Sequence, residues 1–333
     1  MGGESDSRAF TPIPLRRRAL LLTFMAVLAA GSAALTSGVL HPAPLVAGVA
    51  VAQNTTLIAS DPGARLLAPP SPTPPPGAAP RAVPLLWVGG TAVPILVYHY
   101  IRVNPVATDK VGWDLSVTPT EFQAQMDWLH EAGGRTVTLE QVVAALNGGP
   151  RLPAHAVVLT FDDGHDDFAT RAAPVLKADG FVGISFVVSG FLGRSGYMTA
   201  AQVQQVSAMG MVIGDHTVNH VDLAAMSPQL ARNEILACQA TLQQLVGKPV
   251  LDFAYPYGDY NSTDAAIVAA AGFRDAVTTD AGTLQTYDGR FLMHRIRIGG
   301  GDSVWSFAGK AGIARPPSNW TDPGPASPVQ WSG

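Results

Sequence analysis

The sequence predicts an α/β protein: a distorted or incomplete (β/α) barrel of seven to eight parallel strands, preceded by a transmembrane helix and a proline-rich stalk. Three observations predict it. Between Val93 and Ile298 short β-branched runs alternate with segments of helical period, the arithmetic of repeated βα units. Polar clusters, Asp162-Asp163-Gly164, Asp215-His216 and Tyr257-Gly258, fall just after separate strands, the edge where barrels and open α/β sheets alike build their sites. Upstream, Ala19 to Leu40 carries no charged residue and is long enough to cross a bilayer. The span from 93 to 298 is shorter than the ~250 residues of a full eightfold barrel, so a reduced barrel is favoured, with a doubly wound open sheet as the structural alternative.

From the N-terminus, residues 1–18 end in Arg16-Arg17-Arg18, which the positive-inside rule keeps in the cytoplasm. Residues 19–40 then read as a signal anchor or signal peptide, and everything after them as extracytoplasmic. Ala50-Val51-Ala52 offers an A-x-A cleavage site, but far beyond the usual distance from the basic region, which favours an uncleaved membrane anchor. Residues 41–90 form an extracytoplasmic linker in which nine prolines fall between Pro62 and Pro84. Such a segment favours extended polyproline II at ~3.1 Å per residue and forms no packed core. The folded domain is placed at 91–313, and a Pro/Gly-rich tail at 314–333. Trp305, Trp320 and Trp331 near the C-terminus are expected to pack back onto the domain more readily than to meet sugar rings.

Composition excludes several classes. Of 333 residues 47% are apolar and 14% charged, which rules out long disorder, and a net charge of −4 with pI near 6.0 leaves no broad basic surface for nucleic acid. The single cysteine, Cys238, makes neither an internal disulfide nor a CxxC knuckle, so a metal here must be held by histidines and carboxylates.

Within the domain the first strand is read over Val93 to Tyr100. Thr118-Pro119 opens a helix with Phe122, Met126 and Leu129 on one face, ended by Gly133, and Thr138-Leu139-Glu140-Gln141 is a capping box. Further strands are read at 156–161, 184–188, 211–213, 250–254, 274–278 and 292–298. Ser227-Pro228 starts the clearest helix, which stops before Gly247.

The chemistry gathers at two places. Thr160-Phe161-Asp162-Asp163-Gly164 leaves a hydrophobic strand with two adjacent carboxylates, whose side chains point in different directions. One carboxylate is free to bind a metal while the other approaches water on that metal. His216-Thr217-Val218-Asn219-His220 puts two imidazoles four residues apart, read as one face of a helical turn and suited to metal capture. With Asp163 they make a His-His-Asp set that leaves positions open for water and substrate.

These residues, followed by Phe253-Ala254-Tyr255-Pro256-Tyr257-Gly258, resemble the polysaccharide deacetylases of carbohydrate esterase family 4, in order over roughly residues 93 to 313. Tyr98-His99 and Ala276-Val277-Thr278-Thr279 further resemble the branch that includes exopolysaccharide poly-N-acetylglucosamine deacetylases. The resemblance implies a metal-dependent hydrolase of N-acetyl groups on an N-acetylglucosamine-containing polysaccharide, with a divalent metal, zinc first, on Asp163, His216 and His220. It makes Asp162 the general base and gives the Tyr257 backbone N–H to the oxyanion. His294, in Leu292-Met293-His294, resembles the general acid and is expected across the mouth from Asp162. Tyr255, Pro256 and His99 are expected to line the substrate, although a histidine on an apolar strand is as often a core residue. His130, His155 and His165 read as surface.

Two departures from the family pattern stand out. An arginine that braces the base in many members is absent at Phe253-Ala254, and the usual Asp-x-x-Asp-Trp is replaced by Asp275-Ala276-Val277-Thr278-Thr279. They leave open a catalytically weakened carbohydrate-binding relative, which the intact Asp162 disfavours. A non-haem iron oxygenase also uses two histidines and a carboxylate, but the adjacent second aspartate speaks against it.

Overall fold

The computed structural model describes residues 89–106 and 108–321. The anticipated membrane span at 19–40, the stalk and Trp331 lie outside them. Among the described residues no helix is long and apolar enough to cross a membrane.

Seven parallel strands close into a barrel: β1 (Ile95–Tyr98), β2 (Ala156–Phe161), β3 (Ile184–Val187), β4 (Val212–Asp215), β5 (Asp252–Ala254), β6 (Asp275–Ala281) and β7 (Met293–Arg297). The order around the ring is β1-β7-β6-β5-β4-β3-β2, and β2 pairs back onto β1 to close it. A two-residue strand, Arg135–Thr136, pairs with the start of β2. Every barrel strand is parallel to its neighbours, as βα crossovers require.

The strands alternate between two apolar environments. Ile95, Val158, Ile184, Phe186, Val277 and Met293 fill one buried cluster, whereas Leu96, Val157, Leu159 and Phe161 join another with the surrounding helices. Burial on both faces explains why these strands read as continuous apolar runs.

Around them lie α1 (Lys110–Leu115), α2 (Pro119–Glu131), α3 (Leu139–Leu146), α4 (Ala173–Ala178), α5 (Ala200–Ala208), α6 (Pro228–Val246), α7 (Ser262–Ala270) and α8 (Val304–Lys310). The capping signals act as read. Thr118 and Thr138 each form a full capping box, Ser227 caps α6, and Gly247 ends α6 at φ 68°.

The first strand is shorter than its apolar run. The barrel pairing stops at Tyr98, and Tyr100–Ile101 turns to pair instead with Ser116–Val117, leaving His99 between two ladders. At the C-terminus Trp305 Nε1 donates to the Pro316 carbonyl at 3.1 Å, and Trp320 packs edge-on against Trp128 at 4.8 Å. Both rings fold back onto the domain.

Candidate active site

The site assembles where β2, β4, β5 and β7 end. The Asp162 N–H still donates to the Tyr98 carbonyl at 3.0 Å, so this residue continues the barrel wall. The chain then turns through two left-handed residues, Asp163 at φ 71° and Gly164 at φ 75°. That turn separates the neighbouring carboxylates: Asp162 meets Arg295, while Asp163 faces histidines.

His216 and His220 do not sit on a helical turn. The segment after β4 is a loop with Thr217 at φ 66° and His220 at φ 53°. The backbone donors that a helix would use are taken by side chains. Asp215 Oδ1 accepts from Thr217 N at 2.8 Å, Thr217 Oγ1 accepts from His220 N at 3.0 Å, and Glu234 accepts from Val218 N at 3.1 Å and Asn219 N at 2.9 Å. Spacing alone cannot distinguish this loop from a helix, since both bring the rings together, here 4.9 Å apart. Burial pushes the Asp215 carboxyl up to about 7.

Asp163 Oδ1 lies 3.2 Å from His220 Nε2 and 3.4 Å from His216 Nε2. The ligating atoms of Asp163, His216 and His220 all fall within 4.8 Å of one another, so one cation can reach all three. The tautomer of His216 supports this use. Its Nδ1 lies 2.8 Å from the Ala254 carbonyl, which only accepts, so Nδ1 carries the proton and Nε2 keeps its lone pair for a metal. The other oxygen, Asp163 Oδ2, is 3.3 Å from His165 Nε2. His165 is 3% exposed, not a surface residue, and lies between the tilted rings of Tyr100 and Tyr197. Burial alone would raise the Asp163 carboxyl, but the surrounding imidazoles of His165, His216 and His220 hold it well below the ordinary range. Two imidazoles and one carboxylate suit zinc or a similar divalent cation.

Arg295 of β7 is the residue that sequence reading missed. It is 1% exposed and donates from Nη1 to Asp162 Oδ1 and from Nη2 to Asp162 Oδ2, both at 2.8 Å. Nε donates to the Thr278 carbonyl at 2.7 Å, and Nη1 also reaches Thr160 Oγ1 at 3.2 Å. Burial would raise the Asp162 carboxyl, yet the charge and hydrogen bonds of Arg295 hold it below its usual value. The signal was present: alternation along Met293-His294-Arg295-Ile296-Arg297 puts Arg295 on the same face as Met293, and an arginine turned inward needs a buried acidic partner.

The remaining candidates divide. Tyr257 stands beside the Asp163–His216–His220 cluster, its ring 4.5 Å from that of His220 and 60% exposed, on a backbone held at φ 62°. Tyr255 and Pro256 are buried instead of lining the cleft, and the Tyr255 hydroxyl donates to the Phe291 carbonyl at 3.1 Å. They fix the turn that presents Tyr257. His99 has a buried Nδ1 with no partner among the described residues; burial lowers its pKa, against the raising charges of Asp162 and Asp163. His294 is not brought to the cluster. Alternation along β7 sends Met293 and Arg295 into the barrel and His294 out of it, where Gly282 packs on the ring and the Leu284 carbonyl lies 3.3 Å from Nδ1. A separate cleft of about 830 Å³ near Pro94, Arg151 and Ala156 lies at the other end of the strands and holds no such cluster among the described residues.

Fold and cluster together define a seven-stranded (β/α) barrel with an aspartate–histidine–histidine centre at the carboxyl ends of its strands and an arginine-braced aspartate beside it. The chain belongs to the polysaccharide deacetylase family. The family profile "Polysaccharide deacetylase" matches residues 149–276. The Streptococcus pyogenes deacetylase PplD, solved in complex with acetate, is 30% identical with a TM-score of 0.62, over 67% of this chain and 99% of that one. IcaB from Ammonifex degensii is 28% identical with a TM-score of 0.59, over 67% and 98%. A poly-beta-1,6-N-acetyl-D-glucosamine N-deacetylase of Escherichia coli strain K12 is 45% identical over 64 residues, 19% of this chain and 10% of that protein.

Proposed function

We propose that this chain is a divalent-metal-dependent N-deacetylase that removes acetyl groups from N-acetylglucosamine units of a cell-wall or extracellular polysaccharide, with zinc on Asp163, His216 and His220. The observation that carries this reading is the placement of those three ligating atoms within 4.8 Å of one another at the barrel mouth, next to an aspartate that is not among them. A divalent cation bound there would lower the pKa of a water and polarise the acetyl carbonyl. Asp162, ionised and oriented by Arg295, takes the proton from the attacking water. The Tyr257 backbone N–H, presented by a left-handed turn, donates to the developing oxyanion. Collapse then releases acetate and leaves a free amine on the sugar. The arginine brace favours this reading over a weakened carbohydrate-binding relative, because a binding module has no use for an oriented base.

We further place the domain outside the cytoplasmic membrane, held by the span at 19–40 and the proline-rich linker, where such polymers are found. The decisive experiment is acetate release from peptidoglycan, poly-N-acetylglucosamine and chitin oligomers, with and without a chelator. Chelator-sensitive release from one of them is expected. Release that survives complete metal removal, or none from any glycan under metal-replete conditions, overturns the reading.

A further inference from the structure

We propose that Asp252 and Asp275, both buried, share a single proton at neutral pH, closing a ring with the partly exposed Arg274 that latches β5 to β6 at the end of the barrel opposite the Asp163–His216–His220 cluster. The two aspartates are the first residues of adjacent strands, sit directly opposite each other in register, and are 1% and 0% exposed. Arg274 bridges them: Nη2 donates to Asp252 Oδ1, and Nε donates to Asp275 Oδ2 at 3.2 Å.

That leaves one oxygen on each carboxylate, Asp252 Oδ2 and Asp275 Oδ1, buried and without a donor among the described residues. Two orphaned acceptors on facing carboxyls are satisfied together by one proton, carried by one oxygen and accepted by the other. The charges demand the same. Two carboxylates face one guanidinium, and the next charged group, Glu140 of α3 at 3.4 Å from Arg274 Nη1, adds a further negative charge. Without the proton a net negative charge would be enclosed in a low-dielectric wall. Burial pushes both carboxyls above the ordinary range, Asp275 the further, where the charge of Asp252 adds to burial.

The latch concerns strands that serve the site from their other ends. β5 carries Ala254, whose carbonyl orients His216, and β6 carries Thr278, whose carbonyl holds Arg295. Because the folded pair binds its proton more tightly than the unfolded chain does, its contribution is complete below the ordinary aspartate pKa of ~3.9. It then diminishes as pH rises above that value and is gone once pH passes the folded pKa.

The test is urea unfolding of the full chain against pH, for wild type, Asp275→Asn and, separately, Asp252→Asn. An asparagine amide supplies the missing donor permanently, so each variant should fold at pH 5. Over the pH range just above that of ordinary carboxylates, the wild-type folding constant should fall about tenfold more per pH unit than that of either variant, the signature of one proton. Equal slopes in all three proteins overturn the proposal. Failure of both variants to fold at pH 5 overturns it too, because there the amide replaces a protonated carboxyl.

Discussion

Arg295 holds Asp162 by both ends of its guanidinium, each nitrogen–oxygen pair at 2.8 Å, across a sequence separation of 133 residues. The strands that carry them, β7 and β2, both flank β1, so barrel closure creates the pair. Replacing Arg295 with Met should strand a buried carboxylate and cost about 3–5 kcal/mol of stability, as breaking one partner of a buried pair does. Adding Asp162→Asn should recover most of that loss without restoring acetate release. Denaturant midpoints for the two single variants and the double variant check it, and equal destabilisation with and without Asp162 would show that the pair is not coupled.

Metal retention should separate ligands from base. His216→Ala and Asp163→Ala each remove one of the three proposed ligands and should empty the site on dialysis. Asp162→Asn should keep its metal and lose rate by roughly 10²- to 10⁴-fold, the usual worth of a positioned base. Elemental analysis alongside single-turnover acetate release distinguishes the cases. An Asp162→Asn protein without metal would make Asp162 a ligand.

Gly258 should tolerate no side chain. Its φ is 77°, and a Cβ there would overlap Thr279 Oγ1, the group that donates to the Tyr257 carbonyl at 3.2 Å. Gly258→Ala is expected to cost more than about 1 kcal/mol, since Ala at positive φ is strained even where space allows. It should also lower acetate release by displacing the Tyr257 N–H. Thermal unfolding and kcat measure the two effects, and a variant with unchanged stability and rate would refute the tight turn.

Much of this architecture was legible because local rules and tertiary packing agree. Apolar runs such as Ala156 to Phe161 are buried on both faces, and Thr118, Thr138 and Ser227 cap the helices that follow them. The grouping of Asp163, His216 and His220 was legible because a strand-end carboxylate and paired histidines come together whatever the loop geometry. The loop itself was not: His-x-x-x-His fits a helix, and only Asp215, Thr217 and Glu234 capturing its N–H groups reveals otherwise. Arg295 was hidden because its partner is remote in sequence. His165 looked exposed because its polarity, not its packing between Tyr100 and Tyr197, is what a sequence displays.

The proton for the leaving amine is where sequence and structure part most clearly. His294 is expected at the mouth from its place after a late strand, but strand alternation makes the inward residue Arg295, so His294 lies outside the wall against Gly282 and the Leu284 carbonyl. His294→Ala should therefore change acetate release by no more than about twofold, the scale of a ±0.5 kcal/mol peripheral substitution. His99 is buried, which lowers its pKa, within reach of the charges of Asp162 and Asp163, and its buried Nδ1 has no protein partner among the described residues. If it protonates the amine as the tetrahedral intermediate collapses, His99→Ala should keep its metal and lose roughly 10²- to 10⁴-fold on an unactivated amide. It should lose far less on an acetyl ester whose alcohol leaves readily without that proton. A His294→Ala protein that loses a hundredfold on the amide alone would return the acid to β7, and equal losses by His99→Ala on amide and ester would assign His99 to packing.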